Sequence, residues 1–287
     1  LPASATDNCG YHTISLIEQT LPGTSIGNYT IARIFTATDD CGNSSLATQI
    51  ITVVDTTAPD LVVPSDYTVE CSSTITYDAA YTSDNCGTVE LTLVEETIPG
   101  NASGNYTIVR TFTSTDDAGN ATSLAQTITV VDTTAPVLST PADYTAECSD
   151  AIALDDATAT DNCGTVSVSV VDVNTAGSSA GSYLIERTFT ATDDAGNSST
   201  SVQVITVIDT TAPVLSIPSD YTVECSDVIT YDDATAVDNC GSSSVSVSEQ
   251  TIAGNAIGNY TIVRTFSAID DAGNSSSATQ TISVQDT

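Results

Sequence analysis

Lysine, tryptophan and methionine are absent from the chain, and histidine occurs once, at His12. The four basic residues are all arginines, set against 37 acids, for a formal net charge of -33. A surface this acidic excludes nucleic acid and anionic membranes as partners, because phosphate contacts need Lys and Arg. It favours solubility and cation binding. No apolar run approaches the 18 or so residues of a membrane-spanning helix. No signal peptide is visible either, although the sequence opens inside a repeat, so that observation excludes nothing. A single histidine supplies no recurring triad. Carboxylate pairs such as Asp116 and Asp117 recur, but on a turn without a cleft to shift a pKa, so an enzyme is not expected.

What the chain does have is a repeat of 77 residues without insertion or deletion. Asp-Asn-Cys-Gly places cysteines at Cys9, Cys86, Cys163 and Cys240. Cys71, Cys148 and Cys225, each in Glu-Cys-Ser, keep the same interval, as do Asp55, Asp132, Asp209 and Asp286 and the phenylalanines Phe35, Phe112, Phe189 and Phe266. All four arginines, Arg33, Arg110, Arg187 and Arg264, fall at one repeat position. The units are therefore 56–132, 133–209 and 210–286, preceded by an incomplete unit, 1–55, that lacks the leading strands. We read that unit as a window on a longer array; the alternative is a neighbouring subunit that completes the fold by donating a strand.

Each full repeat has one Phe and no Trp or Met, so little large apolar material is available to bury. A covalent staple compensates, and the two cysteines of each repeat invite one: Cys71 with Cys86, Cys148 with Cys163, Cys225 with Cys240. Closing a loop of that length is worth about 3 kcal/mol in the chain-entropy model. The rival reading, metal-binding thiolates, lacks a CxxC pair or a repeated histidine. Disulfides imply an oxidising, extracellular location. Cys41 stands where Ala118, Ala195 and Ala272 stand elsewhere. Its expected partner is Cys9, with upstream partners for both as the alternative.

The segment Tyr106-Thr-Ile-Val-Arg-Thr-Phe-Thr alternates, with Tyr106, Ile108, Arg110 and Phe112 on one face. Period-two alternation rich in Thr, Val, Ile and Tyr is strand chemistry. Asp-Asp-Ala-Gly-Asn at 116–120 reads as a tight turn, and Gln126-Thr-Ile-Thr-Val-Val as the next strand. Further strands are expected at 67–71, 73–77 and 89–96, and no helix. The fold class is all-β: tandem Ig-like sandwich modules, each of two antiparallel sheets. The arginine shares the core face, so its guanidinium must be paired; Glu70, Glu147 and Glu224 are the candidate partners.

The strings Thr-Ala-Thr-Asp-Asp-Ala-Gly-Asn-Ser (190–198) and Val-Val-Asp-Thr-Thr-Ala-Pro (130–136) resemble hyalin-repeat modules and the bacterial Ig-like repeats of large surface adhesins. The combination of Asp-Asn-Cys, Glu-Cys-Ser and Asp-Thr-Thr-Ala-Pro is most similar to repeats in surface proteins of gliding, Bacteroidetes-type bacteria. The resemblance covers every repeat. It implies a secreted or bacterial cell-surface protein, and says little about a biological role.

In an Ig-like topology the entering linker lies beside two loops rich in aspartate. One repeat would gather Asp132, Asp161 and Asp193 or Asp194. The repeat before it would gather Asp55, Asp84, Asp116 and Asp117, and the one after it Asp209, Asp238, Asp270 and Asp271. Carboxylates converging without a lysine repel one another unless a hard cation sits among them, and calcium accepts six to eight oxygens in loose geometry. Adhesin-type repeats that this chain resembles carry calcium-rigidified junctions, so calcium is the expected cofactor. On the alternative reading these aspartates are turn-formers and solvated charges.

Sequons begin at Asn28, Asn43, Asn101, Asn105, Asn120, Asn197, Asn259 and Asn274, in a chain so rich in Ser and Thr that chance supplies many. Asp-Thr-Thr resembles the O-glycosylation motif of Bacteroidetes and points at Thr56, Thr133 and Thr210. The expected function is a stalk or fibre segment, because identical modules add reach and leave each junction unchanged. Its partners would be neighbouring repeats and other copies in a fibre. The alternative is an adhesive array whose loops bind a glycan or mineral surface. A binding array should carry exposed loop aromatics, whereas the tyrosines here fall mostly on strands.

Overall fold

A computed structural model describes residues 2–8 and 10–287. By contact density the chain divides into two compact units, residues 1–133 with 162–164 and residues 134–161 with 165–287. Among the described residues every regular element is a β-strand.

The first unit opens with β1 (His12–Pro22), β2 (Tyr29–Asp39) and β3 (Ser44–Val53), an antiparallel three-stranded sheet. Six more strands follow: β4 (Asp60–Val62), β5 (Tyr67–Glu70), β6 (Tyr81–Ser83), β7 (Val89–Pro99), β8 (Tyr106–Asp116) and β9 (Ala121–Val131). β4 pairs with β6 in a small antiparallel sheet, and the order β5-β9-β8-β7 makes a four-stranded one.

The second unit repeats this plan twice. Its first set is β10 (Val137–Ser139), β11 (Tyr144–Glu147), β12 (Thr158–Thr160), β13 (Val166–Ala176), β14 (Tyr183–Asp193) and β15 (Ser198–Ile208). Its second is β16 (Val214–Ser216), β17 (Tyr221–Glu224), β18 (Thr235–Val237), β19 (Ser243–Ala253), β20 (Tyr260–Asp270) and β21 (Ser275–Gln285). β10 pairs with β12 and β16 with β18, and the four-stranded orders are β11-β15-β14-β13 and β17-β21-β20-β19.

The alternation along β8 carries the core. Ile108, Arg110, Phe112, Ser114 and Asp116 are all buried, the even positions of one strand face. Ile108, Ile128 and Val130 pack with Tyr67, Val69, Cys71, Ile75 and Tyr106, and Ile185, Ile205 and Val207 form the equivalent cluster in the second unit. Each fully buried Ile or Val is worth about 1.5–3 kcal/mol. The β8–β9 hairpin closes through Gly119, whose φ of +92° is open to glycine at little cost. Asn120 N–H donates to Asp116 Oδ1 at 2.8 Å and Asn120 Nδ2 to Asp116 Oδ2 at 2.8 Å, so the turn is tied by its own side chains.

Two expectations need correction. The four-stranded sheet is mixed, because β5 runs parallel to β9 from Tyr67↔Ile128 to Glu70↔Val131. Residues 73–77, expected as a strand, form none: Ser73 N–H turns back onto the Glu70 carbonyl, and the Tyr67 hydroxyl donates to the Thr76 carbonyl at 2.6 Å. That segment passes over the sheet as irregular backbone. The small sheet, with three residues per strand, leaves β7, β13 and β19 exposed along nearly their whole length.

The arginine lies on the core face, but its partner differs from the expected glutamate. Arg110 Nε donates to Glu95 Oε1 at 2.8 Å, and Nη1 to Gln126 Oε1 at 3.0 Å and to the Asp78 carbonyl. Glu95 and Gln126 stand directly opposite Arg110 on β7 and β9. Asp172 and Glu249 take the same place for Arg187 and Arg264, and Glu18 for Arg33. The guanidinium also lies over the rings of Tyr77 and Phe112, at 4.7 and 5.0 Å. Cross-strand register decides the pairing. Glu70 sits near the end of β5 and is occupied elsewhere.

Candidate cation and disulfide sites

Three of the four linker aspartates are placed by an asparagine from the preceding hairpin turn; at the fourth, Asp209, a serine, Ser182, stands at that position. Asp55 N–H donates to Asn28 Oδ1 at 2.6 Å, Asp132 N–H to Asn105 Oδ1 at 2.7 Å, and Asp286 N–H to Asn259 Oδ1 at 2.8 Å. In the first unit, Asp55, Asp84 and Asp116 each bring a carboxylate oxygen within 4.8 Å of the others. The outer oxygens are used: Asp55 Oδ1 accepts Thr57 N–H at 3.1 Å, and Asp84 Oδ2 accepts Cys86 N–H at 2.7 Å. The inner ones, Asp55 Oδ2 and Asp84 Oδ1, are buried and accept nothing. A buried carboxylate oxygen with no donor is costly, and two of them beside a third carboxylate make a donor set that a hard cation would fit.

The second unit has the same arrangement. Asp209, only 7% exposed, offers a buried, unpartnered Oδ2, and Asp238 a buried, unpartnered Oδ1. Burial pushes the Asp209 carboxyl above its ordinary range; Thr211 N–H opposes this, and the charges of Asp238 and Asp270 add to it. Asp270 is held low despite its burial, because Asn274 donates to both of its oxygens. Asp132 belongs to the first unit, and Asp161 and Asp193 to the second. Asp193 holds Asn197 as Asp116 holds Asn120.

The second aspartate of each pair goes elsewhere. Asp117 accepts Thr88 N–H at 2.8 Å and the Thr88 hydroxyl, Asp194 does the same for Thr165, and Asp271 for Ser242. The parity of the strand explains the choice: Asp116 continues the buried even face of β8, and Asp117 lies one step past it.

The cysteines pair in a register that differs from the expected one. The bridges are Cys71–Cys163 and Cys148–Cys240, each spanning 92 residues, with Cα atoms 6.3 and 6.0 Å apart. The intra-repeat pairs Cys71–Cys86, Cys148–Cys163 and Cys225–Cys240 do not form. Cys71 leaves β5 beside the exit, its N–H on the Val131 carbonyl at 2.8 Å, whereas Cys86 lies at the entrance among Asp55 and Asp84. One repeat thus carries its two cysteines at opposite ends. Cys41, Cys86 and Cys225 are free thiols. Cys9, the expected partner of Cys41, lies outside the described residues.

Around each bridge a glutamate organises the socket. Glu70 Oε2 accepts the Thr133 hydroxyl at 2.7 Å, and Oε1 accepts Thr133 N–H at 3.1 Å and Asn162 Nδ2 at 3.4 Å. Glu147 does the same for Thr210 and Asn239, and Thr210 in particular lowers its carboxyl to about 2. Gly104 lies so close that an added Cβ would come 2.9 Å from the Cys163 Cβ. This socket, absent from the sequence reading, was detectable only as the coincidence of Glu-Cys with Asp-Thr-Thr.

The same contacts bear on the glycosylation positions. Thr133 and Thr210 spend their hydroxyls on Glu70 and Glu147, while Thr56 is exposed. The amides of Asn43, Asn120, Asn197 and Asn274 donate to Asp39, Asp116, Asp193 and Asp270, and Asn28, Asn105 and Asn259 hold the linkers. Asn101 is exposed on a turn. His12 is exposed on β1.

No protein-family model matches the chain. It is 32% identical over 309 residues to hyalin of Strongylocentrotus purpuratus and 30% identical over 308 residues to hyalin of Lytechinus variegatus, with 98% of this chain covered in both. The matched parts are 25% and 57% of those proteins, so the chain spans only part of the length of either relative. Among solved structures, the protocadherin gammaB7 EC3-6 cis-dimer aligns at a TM-score of 0.39 and 15% identity, covering 96% of this chain and 94% of that one. Drosophila N-cadherin EC1-4 aligns at 0.29 and 12%, covering 98% and 94%. These structural likenesses are distant. Along nearly its whole length the chain is similar to hyalin, and its repeats are hyalin-repeat-like.

Proposed function

We propose that this chain is a segment of an extracellular structural or adhesive array, without catalytic activity, whose modules 56–132, 133–209 and 210–286 are locked by disulfides and by calcium. The observation that carries the calcium reading is the pair of buried, unpartnered oxygens on Asp55 and Asp84 beside Asp116, repeated on Asp209 and Asp238 beside Asp270. Asp55, Asp84 and Asp116 would hold one ion, and Asp209, Asp238 and Asp270 another. All donors are oxygens, which suits calcium rather than a softer metal. Bound there, the ion would offset the mutual repulsion of the three carboxylates and fix the linker aspartate against the two loops.

The similarity to hyalin supports the extracellular array, and the cystines support an oxidising compartment. A stalk or fibre role follows from modules that differ so little from one another, and a bacterial surface origin rests on the residue resemblance alone. Equilibrium dialysis with calcium tests the metal reading on the whole chain, against Asp84→Asn and Asp238→Asn. Each substitution should remove one bound ion. Uptake unchanged in both variants would overturn the assignment of these cages.

A further inference from the structure

Three of the positions at which module 56–132 departs from the other two complete modules fall in one place. Tyr81 stands where they carry Thr158 and Thr235, Val62 where they carry Ser139 and Ser216, and Ala79 where they carry Asp156 and Asp233. Val62 on β4 and Tyr81 on β6 are register partners, so their side chains share one face of the small sheet. Both are strongly exposed, at 64% and 73%. With Pro64, Tyr67 and Ala79 they line an open groove of about 570 Å³, within the size range of small-molecule sites.

Two exposed carboxylates, Asp66 and Asp78, border the same groove. Their backbones are pinned to the buried arginine and its glutamine. The Ser65 carbonyl accepts Gln126 Nε2 at 2.9 Å, and the Asp78 carbonyl accepts Arg110 Nη1 at 3.3 Å. Asp66 is fixed further, because its Oδ1 accepts Thr127 N–H at 2.6 Å. The two acids are therefore held in place before any ligand arrives, which lowers the ordering cost of binding. Asp143 and Asp155, and Asp220 and Asp232, repeat the carboxylates in the other modules, but Tyr81 is not repeated.

We infer that this groove binds a neutral saccharide, one sugar ring laid against Tyr81 and Val62 with its hydroxyls donating to Asp66 and Asp78. A sugar presents an apolar C–H face and a rim of hydroxyl donors. An aromatic side chain suits the first, and acceptor-only carboxylates suit the second. The substitutions argue against a cationic occupant. A site for Lys or Arg side chains would keep the acid that Asp156 and Asp233 supply, whereas this module has exchanged it for the methyl of Ala79 and gained an aromatic ring. Acidic sugars are excluded as well. Two carboxylates would repel them, and the module's one basic residue, Arg110, is buried and fully engaged.

The proposal deepens the adhesive reading of the array and does not depend on the calcium sites. The test applies the whole chain, labelled at its amino terminus, to an array of neutral, sialylated, uronic and sulfated oligosaccharides in calcium-containing buffer. A subset of the neutral glycans should retain it. Tyr81→Thr should weaken that retention about tenfold, and Ala79→Asp should weaken it too. Both variants restore residues that the sister modules carry at those positions, so the fold is kept. Calcium uptake by equilibrium dialysis should be the same in both variants as in the unaltered chain, which separates a failed groove from a failed metal site. Retention by no neutral glycan, a preference for the acidic ones, or retention indifferent to Tyr81→Thr would overturn the proposal. So would binding of a heptalysine peptide, in place of glycans, that Tyr81→Thr abolishes.

Discussion

Replacing Arg187 with Met removes a charged hub and keeps its apolar stem. The guanidinium is 3% exposed and donates to Asp172 Oδ1 at 3.1 Å, to the Asp155 carbonyl at 2.7 Å and to Gln203 Oε1 at 3.4 Å, while lying 5.0 Å from the centre of the Phe189 ring. Asp172 is 37% exposed and regains water when its partner goes. Gln203 is 1% exposed and does not, so its Oε1 is left buried without a donor, at about 1–3 kcal/mol. With the lost bond to Asp155 and the ring contact, the expected cost is about 3 kcal/mol, near the lower end of the range for breaking a buried pair. Arg33 provides the internal control. Its side chain is 29% exposed and that of Glu18 53%, so Arg33→Met should cost less than about 1 kcal/mol. A chain of several modules is not a two-state system, so the assay is native-state hydrogen exchange. The free energy of opening should fall along β14 in the first variant and hardly change along β2 in the second. A loss under about 1 kcal/mol on β14 would refute the view that this arginine fastens three strands and a loop.

Acid should loosen the sockets in a defined window. The Glu147 carboxyl is lowered to about 2 by Thr210, so its contribution is present above the ordinary carboxylate range near 4.5 and is lost as pH falls towards 2. Melting temperature measured across that window should drop less steeply for Glu147→Gln than for the unaltered chain. Two glycines with similar backbone separate strain from crowding. Gly119→Ala meets open space at a φ of +92° and should cost about 1–2 kcal/mol with the Cys71–Cys163 bridge intact. Gly104→Ala would put its Cβ 2.9 Å from the Cys163 Cβ, and non-reducing peptide mapping should show that bridge forming more slowly on refolding.

The strands were legible because alternation along 106–113 and 126–131 is unbroken and each side chain faces one environment. Residues 73–77 alternate as well, yet their backbone bonds go to the Glu70 carbonyl and the Tyr67 hydroxyl rather than to a neighbouring strand. The carboxylate cage was half legible. Extending the even face of β8 from Ile108 and Phe112 through Ser114 reaches Asp116 rather than Asp117, and that parity was available in the sequence. The disulfide register was not. In a perfect 77-residue repeat, a partner 15 residues away and one 92 residues away are the same repeat position, so spacing cannot separate them. What separates them is the parallel pairing of β5, which carries Cys71 to the far end of its sandwich from Cys86. The arginine's partner was missed for a similar reason, because cross-strand register is a property of hairpin closure.

The two bridges interleave, since Cys148 lies before Cys163, and this fixes how the array would carry tension. A pull applied at residues 71 and 240 does not follow the 169 residues between them (240 − 71). It crosses from Cys71 to Cys163, runs back along residues 163 to 148, and crosses again to Cys240. Only those fifteen residues (163 − 148) can be drawn out, about 50 Å at roughly 3.5 Å each, against about 590 Å for the reduced chain. The long hairpins β8–β9 and β14–β15 stand off the path of the force. The segment that bears it holds only one short strand, β12. With its cystines intact the stretch from Cys71 to Cys240 would therefore be nearly inextensible, and reduction would convert it into a long, compliant one.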